Sequence, residues 1–165
     1  MKIKILVVIG LWFISCKEEV YVPVNTGMEN EPLTDFSILR PDSVTYFNTS
    51  SLKPGKKTIL FCYSPTCPYC RAQMREMLNN IDKYKDAQLL AVTSADLKSM
   101  KSFIKYFKLE SHPNIINGID TGNVMIKIYK AYNVPFTAFF DKDKRLTAAF
   151  SGRITNHTLL GIIHP

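Results

Sequence analysis

The segment TILFCYSPTCPYCRAQM, residues 58–74, constrains this chain more than any other. Its first six residues form a continuous apolar run rich in β-formers, the pattern of a strand buried on both faces. Residues 64–68 break the run. Residues 70–79 then suit a helix, with Met74, Met77 and Leu78 on one face. Two cysteines, Cys67 and Cys70, stand at this junction with only Pro68 and Tyr69 between them. The first turn of a helix carries unpaired N–H groups and a partial positive charge, which stabilise a thiolate, and the thiolate is the nucleophile. Pro68 suits the first helical position, where its missing N–H would have had no partner. Two intervening residues let one sulfur attack a mixed disulfide formed on the other. The expected roles are nucleophile for Cys67 and resolving thiol for Cys70, at the mouth of an α/β fold.

The same pair has other uses. A structural disulfide closing so small a loop adds little cross-linking stabilisation. A zinc site needs two more ligands, but there is no second C-x-x-C, and His112, His157 and His164 lie far along the chain. Copper needs fewer ligands, so a copper chaperone built on Cys67, Cys70 and His112 stays open. Peroxiredoxins carry Pro-x-x-x-Thr-x-x-Cys. At those spacings Cys67 is preceded by Leu60 and Ser64, and Cys70 by Tyr63 and Cys67. Cys62 falls inside the apolar run and reads as a packed, inert thiol.

The remaining cysteine, Cys16, ends the N-terminal segment MKIKILVVIGLWFISC. Two lysines, a short apolar run and a small residue before Cys16 make a secretory signal. The run is short for a membrane span, which takes about 20 residues. FISC resembles a bacterial lipoprotein signal, with cleavage before Cys16 and a lipid on that cysteine; Phe13 departs from the usual leucine. KEE behind it resembles the acidic tag of some surface-exposed lipoproteins. Residues 20–34 hold Pro23, Gly27 and Pro32 without a sustained period and read as tether. The expected organisation is a signal peptide over 1–15, a flexible tether over 16–34 and one domain over 35–165. An apolar content of 46% with 21% charged residues suits an ordered domain. Of the formal charge of +7, two units belong to Lys2 and Lys4, and no basic cluster is interleaved with aromatics. No nucleic-acid partner is expected.

Along the domain, residues 35–47 read as a hairpin turning at RPDS. Residues 88–93 (QLLAVT) read as a second buried strand, and Ser94, Ala95 and Asp96 lead into a helix ending near Lys108. A loop follows, carrying His112, Pro113 and a short Ile115-Ile116 stretch. Residues 124–132 read as helix, 136–140 and 146–151 as a hairpin, and 154–163 as a last helix. Strands alternating with helices imply a central sheet with helices on both faces.

TILFCYSPTCPYCRAQM, between a strand and a helix, resembles the thioredoxin-like oxidoreductases. The N-terminal hairpin and LKPGK, residues 52–56, look like the membrane-tethered TlpA/ResA branch. This resemblance implies a three-layer α/β fold, with a mixed central sheet flanked by helices and an N-terminal β-hairpin. It implies a cis proline opposite the cysteines, and YNVPFT places it at Pro135, with the Val134 backbone pairing an extended substrate segment. Where thioredoxin has a buried Asp this chain has Phe61, and where it has Trp before the first cysteine this chain has Thr66. No obvious carboxylate then accepts the Cys70 proton; Glu76 reads as solvated surface. Lys144 stands where the closing hairpin usually has Gly.

The expected activity is extracytoplasmic thiol–disulfide exchange, in the direction of reducing protein disulfides. Cys67 and Cys70 are the catalytic pair, and Val134, Pro135, Tyr69 and Phe136 contact the substrate. No prosthetic cofactor is implied. Expected partners are protein dithiol or disulfide substrates, a membrane or soluble thiol donor, and a bacterial membrane reached through lipid on Cys16, with the domain facing the periplasm or the cell surface. A redox-inactive binding lipoprotein of the same fold is the remaining alternative.

Overall fold

The apolar run before the cysteines lies at the centre of the molecule. In the computed structural model, which describes residues 21–164, it forms β3 (Lys57–Cys62). β4 (Ala87–Thr93) pairs with it in parallel and β6 (Phe136–Phe140) antiparallel. With β1 (Ser37–Leu39), β2 (Tyr46–Asn48), β5 (Ile115–Ile119) and β7 (Leu146–Ser151), they make a mixed sheet ordered β2-β1-β5-β4-β3-β6-β7 among the described residues.

Strand alternation splits the core into two layers. Ile59, Phe61 and Tyr63 face α1 (Pro68–Asn79), α2 (Leu97–Phe107) and α4 (Asn156–Ile163). Leu60 and Cys62 face the opposite layer, with Met125 of the one-turn helix α3 (Val124–Lys127) and Tyr129. The first layer hides the apolar stripe that the sequence carries at helical spacing, Met100, Phe103, Ile104 and Phe107. Asp96 caps α2 by accepting the Ser99 N–H (2.9 Å), as its position before the stripe suggests.

Three stretches differ from the sequence reading. Ile115-Ile116 opens a full strand, β5, which sits between β1 and β4. Asn117 and Gly118 mask it in the sequence, yet Gly118 is required there. A Cβ on it would lie 2.6 Å from Ile38 Cδ1 and 2.9 Å from Ile38 Cβ. The helix read over 124–132 stops after Lys127. The chain leaves the helical region and Lys130 takes a positive φ of 55°, as the β-branched Val124, Ile126 and Ile128 do little to extend the turn.

Residues 21–34, a tether by composition, instead run along the molecule. The Val24 N–H donates to the Ala149 carbonyl (2.7 Å), Leu33 N–H to Lys144 (2.7 Å) and Leu146 N–H to Glu31 (3.0 Å). Val24, Met28 and Leu33 pack on one core layer and Tyr21 on the other. The edge strand β7 presents backbone groups that need partners, and this segment supplies them through scattered single bonds. Such pairing leaves no periodic trace in the sequence. The signal segment, Cys16 and the acidic KEE stretch lie outside the described residues.

Candidate functional site

β3 delivers the chain to the cysteines and α1 carries it away. Cys67 is the N-cap of α1 and Pro68 its first residue. The Cys67 sulfur accepts the Cys70 backbone N–H at 3.3 Å, so one of the orphan donors of the helix start points at that sulfur. Register brings the second wall. β6 runs antiparallel to β3 with Cys62 opposite Phe136, so Pro135 leaves the sheet at the end where Cys67 enters. The Val134–Pro135 peptide is cis. The Cys67 thiol donates to the Val134 carbonyl at 3.7 Å, across 67 residues of sequence.

Exposure separates these residues. Cys67 is half-buried and Cys70 is fully buried. Tyr69 is 65% exposed and Val134 37%, so both offer surface beside the sulfurs, while Pro135 is buried beneath them. Phe136, expected as a substrate contact, is 1% exposed and belongs to the core layer of Tyr129 and Met125. Strand alternation turns its ring inward, where it supports the turn without offering surface. His112 is not brought to the cysteines. It precedes the N-terminal end of β5, whereas Cys67 follows the C-terminal end of β3, and β3, β4 and β5 are parallel. Among the described residues no three His, Cys, Asp or Glu side chains are arranged to hold a metal ion.

Burial, and then the hydrogen bond with Cys67, pushes the Cys70 thiol up to about 12, so it rests protonated. Burial raises Cys62 and Tyr63 as well. Phe61, which stands where thioredoxin has a carboxylate, is part of an aromatic ladder. Its ring stacks on Tyr63 at 5.8 Å and Tyr63 stacks on Phe103 at 4.2 Å.

Side chains on α1 fix the site from behind, and the sequence reading missed them. Arg71 lies over the Tyr106 ring at 4.1 Å and donates to the Pro65 carbonyl at 3.2 Å, tying the loop before Cys67 to α2. Gln73, fully buried, accepts the Ile154 N–H at 2.8 Å. Glu76 is not merely solvated. It accepts the Asn156 N–H at 2.8 Å and pairs with Arg153 at 2.9 Å, holding the start of α4. Apart from Pro65, each partner lies at least 35 residues away, so no local pattern announces the contact.

Beside Val134 a cavity of about 40 Å³ opens to the surface. Cys62, Thr93, Asp120 and Met125 form its buried floor, with Ser94 and Ile126 exposed at its rim. Asp120 is 3% exposed; its Oδ2 accepts the Met125 N–H at 2.9 Å and its Oδ1 has no hydrogen-bond partner.

The family described as AhpC/TSA matches residues 30–162. No curated protein matches the chain. Among solved structures, the chain is similar to a secreted Mycobacterium tuberculosis disulfide oxidoreductase homologous to E. coli DsbE. The two are 22% identical, with a TM-score of 0.64 over 78% of this chain and 93% of that one. StoA from Bacillus subtilis is 18% identical, with a TM-score of 0.61 over 78% and 95%. The exposed lipoprotein thioredoxin Etrx1 of Streptococcus pneumoniae is 23% identical, with a TM-score of 0.61 over 79% and 98%. At these identities the likeness establishes a thioredoxin-like fold.

Proposed function

The chain belongs to the AhpC/TSA family, and from that premise we propose that it is a thiol–disulfide oxidoreductase that reduces protein disulfides outside the cytoplasm. The observation that carries this reading is the environment of one sulfur. Cys67 caps α1, receives the Cys70 N–H and lies 3.7 Å from the Val134 carbonyl. A half-buried sulfur held between a helix start and an exposed backbone carbonyl is built to meet an extended peptide.

In the first step the Cys67 thiolate attacks one sulfur of a substrate disulfide. The substrate S–S bond breaks, a Cys67–substrate disulfide forms, and the other substrate sulfur leaves as thiolate and takes a proton. In the second step Cys70 gives up its proton, its sulfur attacks Cys67, and the remaining substrate thiolate leaves and is protonated. Two electrons pass from the Cys67–Cys70 dithiol to the substrate, and the chain is left with an intramolecular disulfide. A thiol donor, soluble or membrane-bound, reverses that oxidation. Pro135 shapes the groove, and Val134 and Tyr69 contact the substrate. A lipid on Cys16 would hold the domain at a bacterial membrane, facing the periplasm or the cell surface; among the described residues no helix is long and apolar enough to cross one.

Trapping tests the reading. With Cys70→Ser the second step is blocked, so a disulfide-bearing protein substrate accumulates as a mixed disulfide on Cys67, released by dithiothreitol and visible as a mass adduct. No adduct on Cys70→Ser, or an equal one on Cys67→Ser, would overturn the assignment.

A further inference from the structure

The cavity beside Val134 holds a buried carboxylate that thiol–disulfide exchange does not itself use. We propose that this cavity is a recognition pocket for an ammonium group, the tip of a lysine side chain on the substrate segment docked along Val134. The inference rests on the oxidoreductase reading above and names the substrate chemistry that the same site prefers.

Three observations carry it. Asp120 lines the cavity and is 3% exposed, and its Oδ1 has no hydrogen-bond partner. A buried carboxylate oxygen left without a donor is costly, and a donor entering the cavity relieves that cost. The lining contains no lysine, arginine or histidine, so the negative charge has no cation at hand. An ammonium supplies both the hydrogen bond and the charge, and such a bond to an ionised oxygen is among the stronger kinds. Size narrows the choice. About 40 Å³ holds a few water-sized groups, each needing roughly 10–15 Å³ of such space. That admits an ammonium with its last methylene and crowds a guanidinium.

Position links the pocket to the chemistry. Val134 is part of the cavity wall, and its carbonyl also receives the Cys67 thiol. The rim residues Ser94 and Ile126 are exposed, so a chain lying along Val134 passes over an open mouth. Oδ2 is already committed to the Met125 N–H, which holds Asp120 in place and leaves Oδ1 for the ligand.

The test uses reduced full-length chain carrying Cys16→Ser and short peptides whose single cysteine is joined to thionitrobenzoate. Lysine, norleucine, arginine or glutamate is placed in turn at each of the two positions on either side of that cysteine. The rate of thionitrobenzoate release is read by absorbance. The expected result is a rate at least about ten-fold higher for lysine than for glutamate at one position, with norleucine and arginine between them. That ratio falls toward one in Asp120→Asn, which removes the charge, and in Ser94→Lys, which puts a cation at the rim without touching the floor. Rates within two-fold for all four residues at every position would overturn the pocket, as would a ratio that both variants retain. If no peptide releases thiol at all, the oxidoreductase reading falls. The same peptides with serine in place of cysteine are then compared by calorimetry, where tighter binding of the lysine peptide upholds the pocket and equal binding overturns it.

Discussion

Cys67 and Cys70 are the same residue type in one helical turn, and their surroundings give them different chemistry. Cys67 is half-buried and takes an N–H on its sulfur; Cys70 is sealed in the core. Brief treatment of the reduced chain with iodoacetamide near neutral pH is therefore expected to label Cys67 and spare Cys62 and Cys70, read by peptide mapping. Label on Cys70 ahead of Cys67 would reverse the assigned roles. Burial also ties stability to pH. Cys70 is pushed up to about 12 when folded, against about 8.5 in an unfolded chain. Below the lower value both states keep the proton and the stabilisation is complete. Between the two values the unfolded chain loses a proton that the folded one retains, so stability falls as pH rises. Urea unfolding of the reduced protein should show that decline between about pH 9 and 11, and Cys70→Ala should make it shallower. The cysteine pair was legible because a strand end and a helix start are local features. Arg71, Gln73 and Asp120 were not, because each acts through a partner distant in sequence or through a cavity that forms only on folding.

At the level of elements, the parts whose signal is local were readable: the buried runs of β3 and β4, the stripe of α2 and the hairpin of β6 and β7. β5 was half hidden, since Asn117 and Gly118 interrupt its apolar pattern for a reason visible only from β1. Gly118→Ala should cost about 1–3 kcal/mol, because Ile38 Cβ is too near to yield; an unchanged urea midpoint would show that β1 shifts freely. Helix α4 was placed correctly, but its anchor was misjudged. Glu76→Ala leaves the Asn156 N–H without its acceptor and should lower stability by about 1–2 kcal/mol, with little from the exposed Arg153 pair. The redox potential of the cysteine pair should not move, which separates an anchoring residue from a proton acceptor. A shifted potential would give Glu76 a part in the chemistry.

Across the whole molecule, alternating strands and helices were enough to foresee a central sheet covered on both faces, and the resemblance to thioredoxin-like oxidoreductases implied that it is mixed. What composition concealed is that the chain before residue 35 belongs to the packed structure. It lies along β7, and the Thr34 N–H donates to the Tyr129 hydroxyl at 2.9 Å. A chain starting at residue 35 loses those bonds and the packing of Val24, Met28 and Leu33, and should melt roughly 5–10 °C lower, as a loss of about 2–3 kcal/mol implies for this size. An unaltered melting temperature would restore the tether reading. The central claim, that Cys67 and Cys70 form a working dithiol, is tested most directly by equilibrating the full-length chain, with Cys16→Ser, against glutathione and dithiothreitol buffers. The expected result is one reversible two-electron transition, absent in Cys67→Ser, with a potential nearer thioredoxin at about −270 mV than DsbA at about −120 mV. A transition near the DsbA value would make the chain an oxidant, and the absence of any reversible transition would mean that Cys67 and Cys70 are not a redox pair.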